Sequence, residues 1–222
     1  MTYRAGVTLV IVAGILWSLQ GVVFRQIEVA GAWQVLFWRS LGMLPGLVLF
    51  LAWRAKGSPW PALRAVGLAG AVGGLGLVAA FGGAIVAIQS TTIANAVFLF
   101  AVSPFLTAFL GWAALGERVG RMTWITMAIA LFGVYVMVNG GLQNGAVVGN
   151  VAALVSALGF AVFTVTLRHG GVRDTLPTVV VGGLFAMMAG ALITGVQGNS
   201  VAVPVLDAFW AMFMGAMTLS GG

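Results

Sequence analysis

Apolar residues dominate the sequence in long runs, and short polar segments separate these runs. Most runs are about 20 residues long, the length at which an α-helix crosses a hydrocarbon layer of roughly 30 Å. Segments such as VTLVIVAGILW (7–17) lack the alternation of apolar and polar residues that is typical of membrane β-strands. The pattern predicts membrane-spanning helices at about 5–24, 33–53, 65–88, 92–114, 122–139, 148–167 and 177–196, with an eighth starting near 207.

Composition supports a membrane protein and gives no sign of catalysis. Only 6% of the 222 residues are charged, whereas soluble domains have about 25%. The first span is too long for a signal peptide, and Arg25 follows it where a cleavage site would have small residues. With no cysteine, a single histidine (His169), no Walker loop and no nucleophile–base pair, we predict neither an enzyme nor a bound metal or other cofactor.

The positive residues predict the orientation of the helices. A net charge of +6 could indicate nucleic-acid binding, but basic residues that flank membrane helices are orientation signals. Arg25 lies on one side of the predicted membrane. The other side has Arg4, Arg54, Lys56, Arg64, Arg118, Arg121, Arg168 and Arg173. This asymmetry predicts a multi-pass protein of the plasma or inner membrane with a cytoplasmic N-terminus, in contact with the bilayer and not with nucleic acid.

The chain matches itself at an ungapped offset of 143 residues. The matched pairs include Gly6/Gly149, Trp17/Phe160, Arg25/Arg168 and Pro61/Pro204. The first copy has five spans, an odd number, so the second copy is predicted to be inverted in the membrane, as in many transporters. We assign a first repeat to residues 1–143 and a second to 144–222, and expect the second to be incomplete because residues beyond about 79 have no counterpart in it.

Arg39 lies within an apolar run and is the first candidate binding residue. A helical rise of about 1.5 Å per residue places it roughly 9 Å below the outer surface. The same calculation places other polar and aromatic residues in that layer, and Phe160 is added as the counterpart of Trp17. The candidate substrate-binding residues are Trp17, Gln20, Arg39, Asn95, Phe98 and Phe160.

Arg39 has a functional and a structural interpretation. Its guanidinium could bind a substrate carboxylate through two hydrogen bonds, with Trp17 or Phe98 stacked against it. Alternatively, it extends to the outer headgroups or bonds the carbonyls of a neighbouring helix. Gln20 and Asn95 could likewise bind substrate or only join two helices.

Three further residues are candidates for conformational change. Pro104 removes a backbone hydrogen bond and should kink the fourth span, where it could act as a hinge. Glu117 with Arg118 marks the cytoplasmic end of that span and is either an ion pair or a gate. The spacings Gly42/Gly46 and Gly70/Gly74 indicate close helix packing.

Four segments resemble a known family. They are LWSLQGVVFR (16–25), FWRSLGMLPG (37–46), TTIANAVFLFAVSPFLTAFLGWAALGERV (91–119) and GNVAALVSALGFAVFTVTLR (149–168). Together they resemble EamA-type members of the drug/metabolite transporter superfamily. The resemblance implies an all-α polytopic membrane bundle of two inverted five-helix repeats, with both termini cytoplasmic. Of the ten helices expected, about seven and a half are present, and the family's second Pro…Gly-Glu helix is missing.

These features predict a secondary transporter that moves small metabolites, such as amino acids or related compounds, by alternating access. We expect an exporter with a small-molecule substrate, and a homodimer is possible. All four acidic residues lie at predicted helix ends or in loops, which disfavours a proton antiport based on carboxylates. Alternatives are a truncated, non-transporting membrane subunit, or a transporter of sugar nucleotides or lipid headgroups.

Overall fold

The regular elements of the described chain are all helices, which confirms the predicted all-α class. A computed structural model describes residues 3–140, 146–172 and 174–218. Arg173 and the predicted repeat boundary at 143 and 144 lie outside these ranges. The helices are α1 (Tyr3–Phe24), α2 (Ala32–Arg54), α3 (Trp60–Arg64), α4 (Gly67–Ser90), α5 (Ile93–Phe100), α6 (Ser103–Leu115), α7 (Arg121–Gly140), α8 (Ala146–His169), α9 (Leu176–Val196) and α10 (Val205–Met217).

Several helices are long and apolar enough to cross a membrane, so the chain is a multi-pass membrane protein. Within the described residues these segments are α2, α4, α5 with α6 (Ile93–Leu115), most of α8 (Val147–His169) and α9. The described apolar part of α7 and helix α10 are shorter. The observed helix limits lie within two residues of most predicted ones, because each apolar run ends at polar or helix-breaking residues.

Helix α3 lies in a segment that the sequence pattern left as a loop. It is only five residues long, too short for an apolar period to reveal. The guanidinium of Arg64 lies 5.3 Å from the ring centre of Trp60, one helical turn earlier. This cation–π contact joins the two ends of the short helix.

The helices form two compact units, of which the first combines two segments far apart in the sequence and the second is one continuous segment. Unit 1 contains the residues up to Arg64 and those from Gly183 onward, and unit 2 contains Ala65–Gly182. In unit 1, α10 packs against α1 and α2. In unit 2, α8 packs against α4, α5 and α6. Each unit therefore combines helices from both predicted repeats, and the repeat boundaries themselves stay predictions.

Glycines allow the helices within each unit to approach closely. In unit 1, a Cβ atom on Gly42 would overlap the backbone of Met212, which confirms the packing role predicted for Gly42. In unit 2, a Cβ atom on Gly76 would lie 2.8 Å from the carbonyl oxygen of Gly159. The sequence analysis missed this second contact, since Gly76 and Gly159 are far apart along the chain.

Candidate functional site

Arg39 lies inside unit 1, on the face of α2 that packs against α10. Only 6% of its surface is exposed, and the adjacent Ser40 is fully buried. A Cβ atom on Gly215 of α10 would overlap the carbonyl oxygen of Arg39, so the glycine allows the two backbones to touch. This burial disfavours the interpretation in which the guanidinium extends to the outer headgroups.

The first two turns of α2 are fixed by hydrogen bonds to the segment that precedes α10. The Gln34 side chain accepts a hydrogen bond from the Gly31 N–H at 2.8 Å. Its Nε2 donates to the Ser200 carbonyl at 2.6 Å. One turn later, the indole Nε1 of Trp38 donates to the Val201 carbonyl at 2.9 Å. Arg39 therefore follows directly after a residue whose side chain is held in place.

A buried carboxylate holds the loop between α1 and α2. Asp207, in the first turn of α10, is 4% exposed. Its two oxygens accept hydrogen bonds from the backbone N–H groups of Glu28, Val29 and Ala30 at 3.4, 2.9 and 2.8 Å. Sequence analysis did not single out Asp207, because the loop that it binds is 179 residues away along the chain.

Unit 1 also contains buried polar atoms that other described groups do not satisfy. Gln20 Nε2, Ser40 Oγ and Thr194 Oγ1 have no hydrogen-bond partner among the described residues. Such atoms are uncommon in protein interiors, where buried polar groups are normally hydrogen-bonded. Gln20 is one of the predicted binding residues, and Ser40 directly follows another, Arg39. Thr194 was not predicted.

Asn95 lies in unit 2, where its side chain joins two helices. Its Nδ2 donates to Oδ1 of Asn150, a residue of α8 that is 6% exposed, and to Oγ1 of Thr91 at 3.0 Å. Thr92 caps α5 by accepting a hydrogen bond from the Asn95 N–H at 3.2 Å. These bonds match the interpretation in which Asn95 joins two helices. A role in substrate binding stays a prediction.

The predicted aromatic residues are divided between the two units. Phe98 of α5 and Phe160 of α8 belong to unit 2 and are 48% and 42% exposed. The Phe160 ring lies 5.9 Å from that of Phe163. Trp17 belongs to α1 in unit 1, but its side chain lies outside the described residues.

The predicted hinge and gate residues lie at the two ends of α6. The fourth span is interrupted between Phe100 and Ser103, and Pro104 occupies the first turn of α6, where its missing N–H costs little. At the other end, Glu117 pairs with Arg168 of α8 at 2.5 Å, not with the neighbouring Arg118. The sequence could not reveal this pair, because its members are 51 residues apart.

Comparison with known proteins identifies one family. A family profile described as the EamA-like transporter family matches residues 4–139, which are 136 of the 222 residues. No curated protein and no solved structure matches the chain.

Proposed function

Since the chain belongs to the EamA-like transporter family, we propose that it is a secondary transporter of small metabolites, such as amino acids or related compounds. It moves them across the cytoplasmic membrane by alternating access, and the net direction is export. Substrates with a carboxylate group are the class that Arg39 fits best, because a guanidinium binds a carboxylate through two parallel hydrogen bonds.

The burial of Arg39 carries this proposal. A charged side chain within a membrane span is costly, and such residues commonly belong to substrate pathways. Arg39 is enclosed by protein in a helix whose other residues are mostly apolar. Ser40 and Gln20 belong to the same unit, and their buried polar atoms could bond the other polar groups of a substrate.

The remaining candidate residues have supporting roles in this proposal. Within unit 2, Phe98 and Phe160 offer half-exposed aromatic surfaces, and Asn95 offers an amide already fixed by Asn150. The interruption before Pro104 is where the fourth span could bend. The Glu117–Arg168 pair joins the end of α6 to α8, so its breakage would loosen the contact between these two helices at that end.

The positions of the acidic residues fit a transport mechanism in which no carboxylate carries a proton. Glu28 and Asp174 lie in loops, and Glu117 follows the end of α6. Asp207 is used by the backbone of the α1–α2 loop. We therefore propose facilitated or loosely coupled transport.

The test is efflux of labelled amino acids from liposomes that contain the purified chain. Arg39→Leu should lower the rate at least tenfold, because a hydrogen bond to a charged group contributes about 1.5–3 kcal/mol. Arg39→Lys should retain partial activity, since it keeps the charge and loses the planar fork. Arg25→Leu, which removes an exposed arginine from the loop after α1, is the matched control and should leave the rate unchanged.

Substrates without a carboxylate distinguish the loss of a binding residue from a general loss of transport activity. Amines that correspond to the decarboxylated amino acids should be transported poorly by the unmodified chain and no worse by Arg39→Leu. Normal efflux of amino acids by Arg39→Leu would refute the binding role. If the unmodified chain moves no solute at all, the interpretation as a non-transporting membrane subunit is favoured instead.

A further inference from the structure

An apolar groove lies between α6 and α7 of unit 2. Its lining residues are Val102, Phe105, Leu106, Phe109, Trp124, Met127, Ala128 and Leu131. The volume of the groove is about 280 Å³, near the lower end of the range for ligand pockets, about 300 Å³. It therefore has room for one slender apolar chain.

The lining of α7 is continuous with a basic residue at the end of the helix. Arg121, Trp124, Ala128 and Leu131 are separated by three, four and three residues, so they occupy one face of α7. The rise of about 1.5 Å per residue makes the distance from Arg121 to Leu131 about 15 Å along the helix axis. That length equals about half of a hydrocarbon core of roughly 30 Å, the depth of one leaflet.

An aromatic cluster lies between the basic residue and the deeper part of the groove. The rings of Trp112 and Trp124 meet edge to face at 5.5 Å, and Phe109 lies 5.9 Å from Trp112 and 6.5 Å from Trp124. Tryptophan is enriched where headgroups meet hydrocarbon, because its ring is apolar and its N–H is polar. The cluster thus marks the level at which a lipid would change from headgroup to acyl chain.

We call the end of the groove near Trp124 and the loop between α6 and α7 its mouth, and this end has an excess of positive charge. Arg118 and Arg121 are exposed and have no ion-pair partner among the described residues. The nearby acidic residue, Glu117, is already paired with Arg168. By the distribution of basic residues, this mouth faces the cytoplasmic leaflet, where anionic lipids are concentrated.

From these observations we infer that the groove binds one anionic phospholipid. Its phosphate is held by Arg118 and Arg121, its glycerol region lies at the level of Trp112 and Trp124, and one acyl chain fills the groove as far as Leu131. The charge of the mouth selects the headgroup, and the apolar lining accepts any acyl chain of sufficient length.

Native mass spectrometry of the purified chain tests this inference without any measurement of transport. With equal amounts of phosphatidylglycerol and phosphatidylcholine in the detergent, the bound anionic lipid should exceed the neutral one at least fivefold. Arg118→Gln with Arg121→Gln should abolish that preference, and Arg121→Gln alone should reduce it at least twofold. Arg64→Gln, which removes another exposed arginine near a tryptophan, is the control and should keep it.

A second variant tests the apolar part of the groove. Ala128→Phe should fill the groove and lower the occupancy of both lipids, with helix content unchanged by circular dichroism. Equal binding of the two lipids by the unmodified chain would overturn the inference, as would an equal loss of preference in Arg64→Gln. A dimer that Ala128→Phe dissociates, with no change in bound lipid, would assign the groove to a second copy of the chain.

Discussion

Asp207 shows how one side chain determines the position of a whole loop. Three backbone N–H groups of residues 28–30 point at its carboxylate, and the same carboxylate lies in the first turn of α10. A negative charge at a helix N-terminus is favourable, because the first N–H groups carry partial positive charge. The residue therefore stabilises its own helix and the loop between α1 and α2 together.

Replacement of Asp207 should destabilise unit 1 through this loop. In Asp207→Ala, the partly buried N–H of Val29 and the buried N–H of Ala30 lose their acceptor, which should lower the free energy of unfolding by about 2–4 kcal/mol. Asp207→Asn keeps one acceptor oxygen and should have an intermediate effect. Glu28→Ala is the matched control, since it removes an exposed carboxylate and leaves the backbone N–H in place. The measurement is equilibrium unfolding in mixed micelles, and equal stability of the Asp207→Ala and Glu28→Ala variants would contradict the role.

For single residues, the depth counted in residues from the end of a helix predicts the position in the membrane but not the bonding partner. Depth placed Arg39 and Asn95 in the membrane, because it depends only on the number of residues from a helix end. It could not predict that Asn150 bonds Asn95 or that Arg168 pairs with Glu117. Those partners come from helices that are not neighbours in sequence, and only the packed structure brings them together.

At the scale of elements, the interface of α4 and α8 depends on glycines, which have no side chain to keep the two helices apart. A Cβ atom on Gly159 would lie 2.6 Å from both the Ala80 nitrogen and the Gly76 carbonyl oxygen. Ser156 of α8 donates to the Ala80 carbonyl at 2.6 Å, which adds a polar bond to the close contact. In a membrane, such packing and hydrogen bonding replace the hydrophobic effect as the cause of helix association.

Gly159→Ala should therefore separate α4 from α8. The overlap is with backbone atoms that cannot rotate away, so the free energy of unfolding should fall by about 1–3 kcal/mol. Gly133→Ala in α7 is the control, because a Cβ atom there meets nothing within 4 Å. It should leave stability unchanged or raise it by up to about 1 kcal/mol, the advantage of alanine over glycine in a helix. A lower free energy of unfolding for Gly159→Ala and an unchanged or higher one for Gly133→Ala would establish the contact. A stabilised Gly159→Ala variant would refute it.

The elements themselves were largely predictable, and the exceptions have physical reasons. Apolar runs located α2 and α9 to within a residue or so, since the length that crosses a bilayer leaves little freedom. Helix α3 was missed because a five-residue helix has no apolar period of its own. The interruption before Pro104 was predicted as a kink, and it appears as a short gap between α5 and α6.

At the scale of the whole molecule, the compact units do not coincide with the two predicted repeats. The chain enters unit 2 after α3 and returns to unit 1 within α9. Helix α4 of the first predicted repeat packs on α8 of the second, while α10 of the second packs on α1 and α2 of the first. Each unit therefore contains helices of both predicted repeats, and the inversion of the second repeat stays a prediction.

The predicted orientation follows from charge and has a direct test. The chain has no cysteine, so a single introduced cysteine is the only thiol that a membrane-impermeant maleimide can label. Ser58→Cys lies in the basic loop before α3 and should be labelled only after the membrane is opened, because basic loops stay in the cytoplasm. Asn199→Cys lies in the loop before α10 and should be labelled in intact cells. The reverse labelling would place the N-terminus outside, and the arginines at the mouth of the α6–α7 groove would then face the outer leaflet.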